Sequence, residues 1–250
     1  RLKYFSALRF MDYSETNNNP QVTWADRILP TNAIMTKSPA NAVSGAAWEY
    51  IILLANATNK DVWINVPHMV MGSTYQLNQT DYVTKLAQLF KYGSDGVNPY
   101  TAVQANPVYP PLNSNLKIYV EYSNEVWNGI FSQSNWFLAL ADAANAARDP
   151  DLTYDGTTNR WTVQPRLLAR ATMNISNIFR SVFGAGEMMT RVRPVLAAQI
   201  GNAGTYTTAL NFMDARHGGS AQHIYAVSGA PYITVNNESA PLSVSQIFAE

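Results

Sequence analysis

Short apolar runs alternate with longer amphipathic ones along the whole 250-residue chain, and few folds can absorb that order. A buried strand, a crossover helix and the next parallel strand are the unit such alternation builds. Apolar runs predict strands over residues 4–12, 61–66, 116–122, 191–200 and 222–232. Apolar residues at helical spacing predict helices over 46–57, 80–92, 131–148, 163–183 and 205–217, with another starting at 243–250. Pro194 weakens the first half of the fourth strand, because proline cannot donate to a ladder. Two sheets remain open to such a chain: a doubly wound one and a barrel. The first strand-to-helix junction carries no Gly-x-Gly-x-x-Gly and no phosphate loop, whereas polar residues suited to chemistry gather at the C-terminal ends of several strands, as in barrel enzymes. The expected fold class is therefore α/β, one partial TIM (β/α)8 barrel over residues 1–250, with both ends of the barrel cut.

Composition narrows the ligand more than the fold. Charged residues make up 14% of the chain, and 17 basic residues balance 17 acidic ones. No net field draws it to nucleic acid or an anionic membrane. Abundant Asn, Ser, Thr and Tyr suit an extracellular surface. Cysteine is absent, which removes disulfides, thiolate nucleophiles and cysteine-ligated zinc. No run approaches the roughly 18 apolar residues of a membrane span.

Residues 117–128 read Lys-Ile-Tyr-Val-Glu-Tyr-Ser-Asn-Glu-Val-Trp-Asn. The strand alternates its faces up to Tyr122 and then delivers Asn124 and Glu125 at its C-terminal rim. Glycoside hydrolysis needs a protonated carboxyl beside the glycosidic oxygen and a second carboxylate across the sugar. An aromatic neighbour such as Trp127 helps a carboxyl keep its proton by excluding water. Asn124 is suited to a sugar 2-hydroxyl, a hydrogen bond that strengthens as the ring gains positive charge. Glu121, on the strand itself, reads as a buried structural charge and is the nearest competitor for the catalytic role.

The string Tyr-Val-Glu-Tyr-Ser-Asn-Glu-Val-Trp-Asn resembles the strand-four acid/base motif of retaining (β/α)8 glycosidases, the clan that includes cellulases and mannanases. Together with Leu8-Arg9-Phe10-Met11-Asp12 and Trp63-Ile64-Asn65-Val66-Pro67-His68, it is similar to catalytic-type domains of large secreted bacterial multidomain proteins. The resemblance implies that the five strands are barrel strands two to six, with strands one, seven and eight missing. It implies a retaining mechanism, Glu125 as general acid/base, and a nucleophilic Glu at the end of strand seven, beyond residue 250. On that reading the chain alone is inactive. Glu238 and Glu250 lack a strand-end setting, so no nucleophile is assigned.

Other residues at the rim have a functional and a structural reading each. Arg9 alternates with Leu8 and Phe10 and can face the barrel interior; the clan often keeps an Arg there to orient the nucleophile, and a plain ion pair is the alternative. Asp12 suits a sugar hydroxyl or a turn. His68 suits a subsite or a loop-satisfying role, and Tyr232 can stack on a sugar or position the nucleophile. Trp24, Trp63, Trp136 and Trp161 offer faces for pyranose rings or for the core. His217 and His223 are spaced unlike metal ligands and read as structural; no metal site and no cofactor is expected. The expected function is retaining hydrolysis of a β-linked polysaccharide by a secreted or cell-surface enzyme, its partners being the glycan and possible further domains or missing barrel segments. The alternative is a non-catalytic carbohydrate-binding or structural, adhesive surface domain on the same scaffold.

Overall fold

The computed structural model describes residues 2–32, 35 and 45–230. Among these, five strands form one sheet, all parallel and in chain order: β1 (Ala7–Arg9), β2 (Asp61–Val66), β3 (Ile118–Tyr122), β4 (Val192–Gln199) and β5 (Ala226–Ala230). Strand order follows sequence order without reversal, so there is no switch point of the doubly wound kind. The sheet curls into a half-barrel flanked by helices. The helices are α1 (Trp48–Thr58), α2 (Asp81–Tyr92), α3 (Ser132–Ala146), α4 (Arg160–Phe183) and α5 (Ala203–Arg216). No helix among the described residues is long and apolar enough to cross a membrane.

Register assigns the two faces of the sheet. Val62, Ile118 and Val192 are aligned partners, as are Ile64 and Val120; with Val66, Tyr122 and Leu196 they are buried beneath the helices. α4 lies centrally on that side, touching α2, α3, α5, β3 and β4. Its buried Leu167, Ala171, Ile175 and Phe179 recur every four residues, which places them on one stripe. The opposite, inner face is polar and aromatic. Arg9, Trp63, Tyr119 and Arg193 are consecutive register partners across four strands. The Trp63 and Tyr119 rings stack at 5.7 Å, and the Arg193 guanidinium lies over both Tyr119 and Tyr225. Cations thus cap and interleave the rings along the row, each attracted by a ring face.

The strand and helix order matches the sequence expectation; most bounds shift by no more than two residues, and three elements shift by more. The first strand is only Ala7–Arg9, not 4–12: Leu2–Tyr4 is a 3-10 turn, and past Phe10 the chain folds back, Ser14 donating to the Phe10 carbonyl. The fifth begins at Ala226 because Ser220–Gln222 is also 3-10. α4 begins three residues early, at Arg160, where the Asn159 side chain accepts from the Trp161 amide and satisfies one of the orphan donors of a helix start. Pro194 sits inside β4 without breaking it. Its carbonyl faces β5 and accepts from Tyr225, so its missing donor falls before the β4–β5 ladder, which starts at Val195↔Ala226. The sixth expected helix, 243–250, lies outside the described residues.

Gly93 ends α2 with φ 80° and ψ −168°, a conformation open essentially to glycine alone. A β-carbon there would stand 2.2 Å from the Tyr109 carbonyl oxygen. Gly93→Ala is expected to cost roughly 2–4 kcal/mol, strain and overlap combined. A denaturant midpoint within experimental error of the unsubstituted protein would show that the 94–109 loop yields freely.

Candidate active site

The rim is built where β3 ends. Ser123 and Glu125 both take left-handed backbone conformations, φ 54° and 43°, which is uncommon for residues other than glycine and costs about 1 kcal/mol apiece. Neighbours hold them there. The Ser123 amide donates to the Val66 carbonyl at 2.8 Å, and the Asn65 side chain donates to the Ser123 carbonyl at 2.6 Å. Gln133, wholly buried at the start of α3, donates to the Asn124 carbonyl at 2.9 Å and to Asn17 Oδ1 at 2.7 Å. Asn17 Oδ1 also accepts from Asn124 Nδ2 at 3.0 Å, while the Asn18 amide donates back to Gln133 at 2.9 Å. Side-chain amides from the loop after β1 and from α3 thus clamp the end of β3.

The resulting double turn sets Asn124 inward and Glu125 at the edge. Asn124 is 4% exposed, and its Oδ1 accepts from Arg9 at 2.9 Å. Glu125 is half-buried and accepts from Asn128 Nδ2 at 2.8 Å. Trp127 is half-buried against the core. Beneath them Glu121, 2% exposed, accepts from Arg9 at 3.0 and 3.1 Å and from the Trp63 indole at 2.7 Å. Burial pushes the Glu121 carboxyl above its ordinary range, while the Arg9 cation and the hydrogen-bond donors pull it back. Glu121 is thus engaged from two sides and closed to solvent. Arg9 is shared between this internal carboxylate and Asn124, with its side chain 38% exposed.

The remaining candidates scatter. Asp12 is exposed in the turn after β1 rather than on a strand end, its carbonyl accepting from the Glu15 amide. His68 opens a 3-10 turn at the end of β2, is 2% exposed, and packs edge-on against Trp136 at 5.3 Å. Tyr232 lies outside the described residues, as do Glu238 and Glu250. His217 contacts Asp151 at 3.1 Å and His223 contacts the His217 carbonyl at 2.8 Å. Among the described residues no group of three His, Cys, Asp or Glu is placed to hold a metal ion. The sequence reading misses Asn17, Asn18 and Gln133, whose partners stand more than 100 positions away.

Burial lowers the His68 imidazole to about pKa 4, which makes a pH prediction. The unfolded chain takes up the proton near pH 6.5, the folded one only near 4, so protonation favours unfolding. The contribution of neutral His68 is complete above pH 6.5 and is lost as pH falls toward 4, by up to about 3 kcal/mol. Unfolding at pH 7.5 and 4.5 should show a steeper loss in the native protein than in His68→Gln. Equal losses would exclude it.

Comparison of the chain with protein-family models, with curated proteins and with solved structures returns no match.

Proposed function

We propose that this chain carries the acid/base half of a retaining glycoside hydrolase on a (β/α)8 scaffold, acting outside the cell on a β-linked polysaccharide. The observation that supports it most is the held turn at residues 123–125. Two left-handed non-glycine residues persist only where surrounding structure compensates them, and such strain concentrates at functional positions. Here hydrogen bonds from neighbouring side chains and backbone hold a half-exposed carboxylate at the C-terminal end of a parallel strand, the end where barrel enzymes do chemistry.

Each rim residue takes a role in that reaction. Glu125 gives its proton to the departing glycosidic oxygen and then takes one from the incoming water. Asn128, bonded to its carboxylate, fixes the rotamer. Asn124, oriented by Arg9 and Asn17, presents its amide toward the sugar 2-hydroxyl. Glu121 neutralises Arg9 and keeps it at the rim. Trp127 supplies apolar surface beside the acid. The second carboxylate required by a retaining mechanism stands about 5 Å from the first, and the family resemblance puts it on a later strand. The reading is tested by incubating the polypeptide, as its gene encodes it, with β-glucan, β-mannan and β-xylan and following new reducing ends. Release from at least one is expected; none from any would remove the reading.

A further inference from the structure

A cavity of about 560 Å³ opens beside Trp127, between α3, the start of α4 and the turn from β4 into α5. The sixteen described residues that line it are all uncharged, and Glu125 is not among them. The volume falls inside the range of about 300–1,000 Å³ typical of small-molecule sites. Trp161, at the start of α4, is 63% exposed and brings a broad apolar ring with one polar N–H to the cavity wall, a surface suited to a ligand that is part apolar and part wet. Its neighbour Arg160, 5.6 Å from the ring centroid, is neutralised by Asp142, so no free cation reaches the cavity from that side.

The polar groups of the cavity differ from those of the rim in one respect. Amides of the rim (Asn17, Asn124, Gln133) already bond to one another, to Arg9 and to backbone. Among the described residues, the side chains of Asn135, Gln164, Gln199, Asn202 and Thr205 have no protein partner. Amides and hydroxyls can both donate and accept, and paired with an exposed indole they match a ligand with alternating hydroxyls and apolar C–H faces. An uncharged lining disfavours phosphates, uronates and peptides with charged side chains. A second cavity, of about 450 Å³ around Asp149, Asp151 and Arg170, shows the contrast: it is charged, and those groups are already paired with one another.

We propose that this cavity binds an uncharged oligosaccharide at a place distinct from Glu125, with Trp161 as its stacking platform. The proposal rests on the glycan-directed reading above for its ligand class, but not on catalysis. The polypeptide is titrated with cellotetraose, mannotetraose and xylotetraose, and with tetragalacturonate as the anionic control, following tryptophan fluorescence. Binding of at least one neutral sugar is expected, weakened at least tenfold in Trp161→Ala and reduced in Gln164→Ala, but unchanged in Glu125→Gln. Trp161 is exposed, so its removal leaves the core intact, which circular dichroism verifies. No response to any neutral sugar, a silent Trp161→Ala, or equal binding of tetragalacturonate would overturn it. If hydrolysis is absent while Trp161-dependent binding persists, the catalytic reading falls and the cavity stands. If the protein is active and Trp161→Ala is silent, the cavity falls and the catalytic reading stands.

Discussion

Glu49→Ala should lower the stability of this protein by about 3–5 kcal/mol, the range for breaking one half of a buried ion pair. Arg27 and Glu49 are each 1% exposed and meet through two hydrogen bonds of 2.9 and 3.0 Å. Ser94 Oγ also donates to Glu49 at 2.8 Å, and Arg27 donates to the carbonyls of Ile28 and Val97. Without the carboxylate a cation is stranded away from water, over the face of Trp24 at 4.5 Å. The pair also has a consequence for the rim, because it ties Arg27, ten residues after Asn17 in the β1–α1 loop, to the first turn of α1. Denaturant unfolding measures the loss as a lower midpoint. Arg27→Met combined with Glu49→Leu should recover most of it, since no charge is then left buried. A loss below about 1 kcal/mol for Glu49→Ala would mean that water reaches Arg27.

What the sequence reveals of this fold follows from which signals are local. The strand at residues 61–66 has the same bounds in sequence and structure because Val62, Ile64 and Val66 alternate and Pro67 ends the run. Residues 4–12 are as apolar as any strand, yet only three of them pair. The start of the strand is set by a partner, since β2 begins opposite Ala7, and its end by the turn after Phe10; no periodicity within 4–12 carries that information. Pro194 likewise weakens a strand on local grounds and is harmless once the β4–β5 ladder is seen to begin one residue later.

The site divides along the same line. Asn124 and Glu125 are legible because they follow a clear strand within one contiguous segment. Glu121 as a buried charge is legible from alternation, and Arg9 as its partner only from the pairing of the strands. The amide clamp through Asn17, Asn18 and Gln133 has no local signature: Asn-Asn-Asn-Pro reads as an ordinary polar loop and Gln133 as an ordinary helix start. His68 shows the reverse. Its place after a strand points to the rim, but the 3-10 turn that follows Pro67 buries it against Trp136.

Glu125→Gln should slow hydrolysis of an unactivated β-glycan by about 10²–10⁴-fold, the usual worth of a positioned general acid or base, or roughly 3–5 kcal/mol of barrier. Glutamine keeps the shape and an oxygen for the bond with Asn128, so the Ser123–Glu125 turn and the fold should be unaltered, as unfolding can verify. The loss should depend on the leaving group, because a dinitrophenyl glycoside departs without a proton. With it, the variant should release a rapid burst of dinitrophenol followed by a slow phase, the sign of a covalent intermediate awaiting an activated water. The most direct measurement is therefore the rate of reducing-end release from β-glycan by native and Glu125→Gln polypeptides, side by side. A drop of at least about 100-fold with glycan binding retained is the expected result; turnover unaffected by the substitution would contradict the role of Glu125.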